Sequence, residues 1–308
     1  MTLGGATMGT TWSVALWAPT SVRRATIAAA IDAELAAVVE EMSSWSPTSA
    51  LSRFAQAPAG GWRALPARFG AVMAAALAVA ADSDGAFDPA IGALVDLWGF
   101  GPRPACDGPP DAQAVADALA RGGWRRLRLA QGRLFQPGGV ALDLSGIAKG
   151  FAVDQVAARL ARAGAASALV EIGGELAAFG VKPDGLPWWV ELETPADAAS
   201  VPPATLALCG AAVATSGGYR RFRVVEGVRV QHTLDPRTGR PVDNGVIAVS
   251  VLHASCLYAD AYATAIAVLG QAAGLAFATR LGLAARLVVD GPAGPSAVLT
   301  PALAAMLD

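Results

Sequence analysis

Many short strand-like runs, separated by tight turns and with the helices grouped between them, are what most limits the folds open to this sequence. Thr7–Trp17, Ala168–Ile172, Trp188–Leu192, Ala212–Thr215, Tyr219–Val225, Val246–Leu252 and a last strand, Ala285–Val289, carry apolar alternation or short apolar cores. Trp124–Phe135 suggests a hairpin turning at Gln131-Gly132, and Val140–Leu144 a further strand. Helical spacing marks Ser21–Met42, Arg68–Ala81, Asp111–Ala120, Ile147–Ala163 (closed by Gly164) and Leu257–Leu269 (ended by Gly270). This order predicts an α+β fold, with largely antiparallel or mixed sheets and packed helices, rather than a doubly wound parallel sheet. No low-complexity linker divides the 308 residues, so one domain over 1–308 is expected.

Composition removes several function classes. The net charge of −2 offers no basic surface for nucleic acid. The longest apolar run, Ala71–Ala81, falls short of the roughly 20 residues of a spanning helix. The start lacks the charged and apolar regions of a secretory signal. That leads to the expectation of a cytoplasmic protein, or of a periplasmic or membrane-anchored one if an export segment has been removed. Cys106, Cys209 and Cys256 form no CxxC pair and are expected to be packing residues. With only His232 and His253, imidazole metal clusters are excluded. Neither common nucleotide fingerprint occurs, and Gly173-Gly174-Glu175 has the wrong spacing for one.

Four segments can carry chemistry. In Leu142–Gly150, a turn at Ser145-Gly146 leads into a helix whose first turn holds Lys149, one of only two lysines. A cation there opposes the helix dipole unless an anion such as phosphate sits between them; a solvated lysine is the alternative. In Tyr258–Thr264, Asp260 and Thr264 share a helix face and could give two hard oxygens to Mg²⁺, or could serve the helix alone. In Gln231–Pro241, His232 precedes a tight Asp-Pro-x-Thr-Gly turn; it is a candidate base or a backbone-satisfied histidine. Gly85–Gly101 is an apolar, aromatic strip that could line a pocket for a flat ring or belong to the core.

In this order, with Met8–Trp12, Met42–Phe54, Val170–Glu175 and Ala214–Gly217 added, these segments resemble the FAD:protein FMN transferase family, also called the ApbE family. The resemblance covers nearly the whole chain and implies an ApbE-like (T-fold-like) architecture. It implies that Met8, Trp45, Ala86, Phe87, Asp88 and, through its backbone, Leu234 contact FAD, with Asp143 and Lys149 near the ribityl or phosphate region. It implies a Mg²⁺ site (with Mn²⁺ as the alternative) from the Gly146 carbonyl, Asp260, Thr264 and a main-chain contact at Ala263. His232 matches the base that deprotonates the acceptor hydroxyl. The implied reaction is transfer of FMN from FAD to a Thr or Ser of an acceptor protein carrying Asp-x-x-[Ser/Thr]-Gly-Ala-[Ser/Thr], with release of AMP. The rivals are a metal-dependent FAD pyrophosphatase, a flavin-binding protein without turnover, and a structural module in which Lys149, Asp260 and His232 lie far apart. Two departures stand out. Trp45 occupies a place usually held by Tyr, and the export signal common in the family is missing.

Overall fold

The computed structural model describes residues 1–19, 21–104 and 108–307. Its largest sheet has eight strands: β1 (Thr2–Thr7), β2 (Thr10–Trp17), β3 (Ser167–Ile172), β4 (Glu175–Phe179), β5 (Ala211–Gly217), β6 (Val246–His253), β7 (Ala284–Val289) and β8 (Ser296–Leu299). They lie side by side in sequence order, and every neighbouring pair is antiparallel. The α+β expectation therefore holds. Helices and hairpins enter as insertions between consecutive strands of one meander.

Period-two alternation covers both faces of this sheet. Trp12, Val14, Leu16, Val170, Ile172, Ala212, Ala214, Val249 and Val251 face the main core. There they pack against α1 (Arg24–Met42), α2 (Ala67–Asp82), α3 (Ala148–Arg162) and α4 (Cys256–Arg280). Ala178, Val213 and Ala284 face the opposite side, under a hairpin of Trp188–Leu192 and Ala204–Leu208 and beside Leu303. By length and composition α4 could cross a membrane. Gly270, at φ 81° and ψ 177°, breaks it at the predicted stop, and its first half is largely buried.

Several boundaries differ from expectation. The opening strand is two strands, because Met8 (φ 48°) and Gly9 (φ 73°) turn the chain back. Residues 140–144 form no strand. They run beside 89–92 with two backbone bonds, Gly92 N–H to Ala141 O (3.0 Å) and Asp143 N–H to Pro89 O (2.9 Å), while Gln136 holds Val140 through both its side-chain amide atoms. Of Tyr219–Val225 only Phe222–Val225 pairs, with Val228–Gln231. Strand β4 and the hairpin strand Ala204–Leu208 arise where no strand was expected. β7 is not the end of the chain, since β8 and a helix at Pro301–Leu307 follow. Cys256 is buried as expected, Cys209 is exposed rather than packed, and Cys106 lies outside the described residues.

Candidate active site

Strand register puts the β1–β2 turn, the β3–β4 turn and the end of β5 at one end of the sheet. A cleft of about 490 Å³ opens there. It is lined by Met8, Trp45, Ala86, Phe87, Asp88, Asp143, Gly146, Lys149, His232, Leu234, Asp260 and Thr264. Of the expected site residues Ala263 alone is missing from this lining. It is fully buried. Its side chain is therefore closed off from the cleft, and only its main chain could take part.

The wall formed by α3 and α4 depends on backbone contact. A Cβ on Gly150 would lie 2.3 Å from the Cys256 carbonyl oxygen and 2.8 Å from the Asp260 Cβ, so only glycine lets the two helices meet here. The crossing allows the Gly150 N–H to donate to Asp260 Oδ2 at 3.0 Å. Asp154, on α3, accepts from the backbone N–H groups of Cys256 (2.8 Å) and Leu257 (3.0 Å). It thereby caps α4 from outside and fixes its start. Likewise a Cβ on Gly146 would stand 2.8 Å from Thr264 Oγ1, so the bare backbone at 146 brings the turn against that hydroxyl. Asp143 shapes the same turn by accepting from the Ser145 N–H (3.0 Å) and Ser145 Oγ (2.5 Å).

Lys149 is half-buried rather than fully solvated, and it does not rest on helix N–H groups. Its ammonium pairs with Glu175, the first residue of β4. Glu175 is 1% exposed, and its Oε2 is buried without a hydrogen-bond partner. Asp260, 4% exposed, is close enough to act electrostatically on both. Burial pushes both carboxyls above their usual range, opposed by Lys149. The two carboxylates in turn hold Lys149 above its ordinary value against its own burial.

The facing wall is less regular. His232 follows the hairpin Phe222–Val225/Val228–Gln231. Its backbone N–H donates to the Arg221 carbonyl (3.1 Å), and its Nδ1 lies 3.1 Å from that same oxygen. A carbonyl only accepts, so this contact assigns the ring hydrogen to Nδ1 and leaves the Nε2 lone pair free. Burial, with help from the Arg221 guanidinium, lowers the His232 pKa to about 4, so the ring is neutral at pH 7. Phe100 meets the imidazole edge-on at 6.3 Å between centroids. Trp45 is 61% exposed at the cleft mouth, with the Arg221 guanidinium 6.0 Å from its ring.

Asp88 lines the cleft, yet its oxygens serve the fold: Oδ1 accepts from Ala90 N–H (2.7 Å) and Oδ2 from Trp124 N–H (2.9 Å). Burial still raises its pKa to about 6. Leu234 packs its side chain among Leu94, Val95, Phe100 and Val115, beneath the cleft. Sequence reasoning missed Glu175, Arg221 and Ser216, whose hydroxyl lies 3.5 Å from that of Thr264. Only Glu175 carried a usable signal: a Gly-Gly turn between two strands with an acid at the start of the return.

The sequence profile of the ApbE family matches residues 8–287. The chain belongs to the ApbE family. Among relatives, the FAD:protein FMN transferase of Vibrio cholerae serotype O1 is 37% identical over 279 residues, covering 90% of this chain and 83% of the relative. That of Klebsiella pneumoniae is 33% identical over 305 residues, covering 97% and 87%. Two solved ApbE structures superpose on all of the chain. The apo flavinyl transferase ApbE of Pseudomonas stutzeri has a TM-score of 0.92, 37% identity and 96% of its own chain covered. The flavin transferase ApbE of Vibrio cholerae has a TM-score of 0.93, 33% identity and 99% covered. The ApbE architecture expected from the sequence is thus the one observed.

Proposed function

We propose that this chain is a FAD:protein FMN transferase, moving FMN from FAD to a Thr or Ser hydroxyl of an acceptor protein in a Mg²⁺-dependent reaction. The observation that carries the reading is the convergence of Lys149, Asp260, Thr264 and His232, distant in sequence, on one cleft beside an apolar strip. That convergence is the reverse of what a structural module requires.

The donors suit a hard divalent cation. Among the described residues no three His, Cys, Asp or Glu side chains form a metal cluster. The available atoms are the Asp260 carboxylate, the Thr264 hydroxyl and the backbone at Gly146, the last two pressed together where a Cβ would collide. Oxygen ligands of this kind match Mg²⁺ or Mn²⁺. A cation held there would neutralise charge developing on the pyrophosphate oxygens.

This chain's own groups supply the rest. His232 Nε2 accepts the proton of the acceptor hydroxyl while Nδ1 stays anchored on the Arg221 carbonyl. The hydroxyl oxygen bonds to the FMN phosphorus, the pyrophosphate P–O bond breaks, and AMP departs with that electron pair. A histidine with a pKa near 4 is a weak base; the negative pyrophosphate in the cleft would raise it toward a working value. Trp45 offers an aromatic face to the flavin ring, and Phe87 and Ala86 an apolar lining.

The test is chromatography of FAD, FMN and AMP after incubation with Mg²⁺, with and without an acceptor bearing Asp-x-x-[Ser/Thr]-Gly-Ala-[Ser/Thr]. AMP that appears in step with acceptor and without free FMN is the expected result. Free FMN and AMP regardless of acceptor would make the chain a pyrophosphatase. Intact FAD would defeat both readings and leave a flavin-binding protein.

A further inference from the structure

Glu175 is a buried cleft acid that the proposed chemistry leaves without a task and that, unlike Asp88, does not hold backbone N–H groups through both its oxygens. It sits at the sheet end of β4, and one of its oxygens receives the Lys149 ammonium. A single ammonium therefore faces two buried carboxylates and touches Glu175, while Asp260 takes the backbone N–H of Gly150. Both acids act electrostatically on Lys149. Charge alone does not choose between them; the placement of β4 across from the first turn of α3 does.

We infer that Glu175 is a positioning residue that holds the Lys149 ammonium away from Asp260, so that the Asp260 carboxylate stays open to a divalent cation. The inference rests on reading Asp260 and Thr264 as cation donors. Without the charge on Glu175, Asp260 becomes the opposite charge that draws Lys149. A Lys149–Asp260 pair would then occupy the oxygens that the cation needs. The Asp260 carboxylate is buried and little satisfied by solvent, so it competes for the ammonium once Glu175 is neutral. The pairing also has a direction. Lys149 meets Oε1 of a Glu175 carboxylate whose Oε2 has no hydrogen-bond partner. Removing the lysine alone leaves that acid to take up a proton, and it does not close the cation site.

The test is titration of Mn²⁺ into the FAD-loaded protein, with free Mn²⁺ read by electron paramagnetic resonance. Glu175→Gln is expected to bind Mn²⁺ at least about 10-fold more weakly than wild type. The double variant Glu175→Gln/Lys149→Met, which removes the competitor, is expected to return to within about 3-fold of wild type. Equal affinity in Glu175→Gln and wild type overturns the inference. So does a double variant as weak as the single, which would mark general damage to the site. If Glu175→Gln fails to give a cooperative thermal melt, Lys149→Met decides: binding at least as tight as wild type is expected, and weaker binding overturns the claim. Wild-type protein that holds FAD but no Mn²⁺ removes the cation site itself, and this inference with it. Wild-type protein that fails to bind FAD instead refutes the flavin reading.

Discussion

On one side of the cleft Lys149, Glu175, Asp260 and Thr264 stand on β4, α3 and α4, where strands and helices pack around one core. On the other, His232 follows a two-stranded hairpin and rests on the carbonyl of Arg221 and the edge of Phe100. The first wall buries two carboxyls beside a half-buried lysine, so each acid needs a partner, and glycine at 150 brings backbone close enough to provide one. The second wall half-buries a histidine and keeps it neutral. One wall holds charge fixed, and the other keeps an imidazole neutral, as the proposed proton acceptor requires. The proposed transfer, which handles a pyrophosphate and a hydroxyl, has use for both.

The largest expected effect lies on the charged wall. Asp260→Ala should lower metal-dependent FAD cleavage about 10³-fold or more, since several kcal/mol of charge stabilisation go with the cation. Activity near wild type, in an assay of AMP release over a Mg²⁺ series, would remove Asp260 from the site. On the other wall, His232→Ala should cut transfer about 10²- to 10⁴-fold yet leave FAD affinity, read by flavin fluorescence, within a few-fold. A matching loss of affinity would mean that the ring holds the flavin rather than the proton.

The same histidine gives a stability signature. Its folded pKa of about 4 lies below the ordinary 6.5. Between these values the unfolded chain binds the extra proton, so stability rises with pH across the window and is complete above it. From pH 6.5 down to 4 this group should cost about 2–3 kcal/mol. Urea midpoints of wild type and His232→Gln should therefore diverge from each other as pH changes through that range; parallel curves would contradict the burial argument. Trp45→Ala, at the exposed mouth, should weaken FAD binding about 5-fold with little change in thermal stability, because stacking is worth about 1 kcal/mol and the ring packs little of the core. A large drop in melting temperature would recast Trp45 as structural.

What could be read from the sequence follows the same division. Asp260 and Thr264 were visible because helical spacing alone puts them on one face. The start of α3 and the break at Gly270 were visible as turn and stop signals. The β1–β2 turn was hidden because Met8 adopts a left-handed conformation usually left to glycine or asparagine. Strand β4 was hidden because Glu-Leu-Ala-Ala-Phe lacks the β-branched residues that mark strands. Residues 140–144 misled for the opposite reason, looking strand-like while bonding only briefly to 89–92. The partner of Lys149 could not be seen from local pattern, since Glu175 is 26 residues away and only sheet register brings it near. Asp88 shows the limit of motif matching: it lines the cleft, but its carboxylate holds the backbone.

The most direct test of the central claim is tandem mass spectrometry of an acceptor protein after incubation with this chain, FAD and Mg²⁺. The account predicts FMN joined as a phosphoester to one Thr or Ser oxygen of the acceptor, with one AMP released per adduct. An unmodified acceptor beside free FMN and AMP, or beside intact FAD, would contradict it.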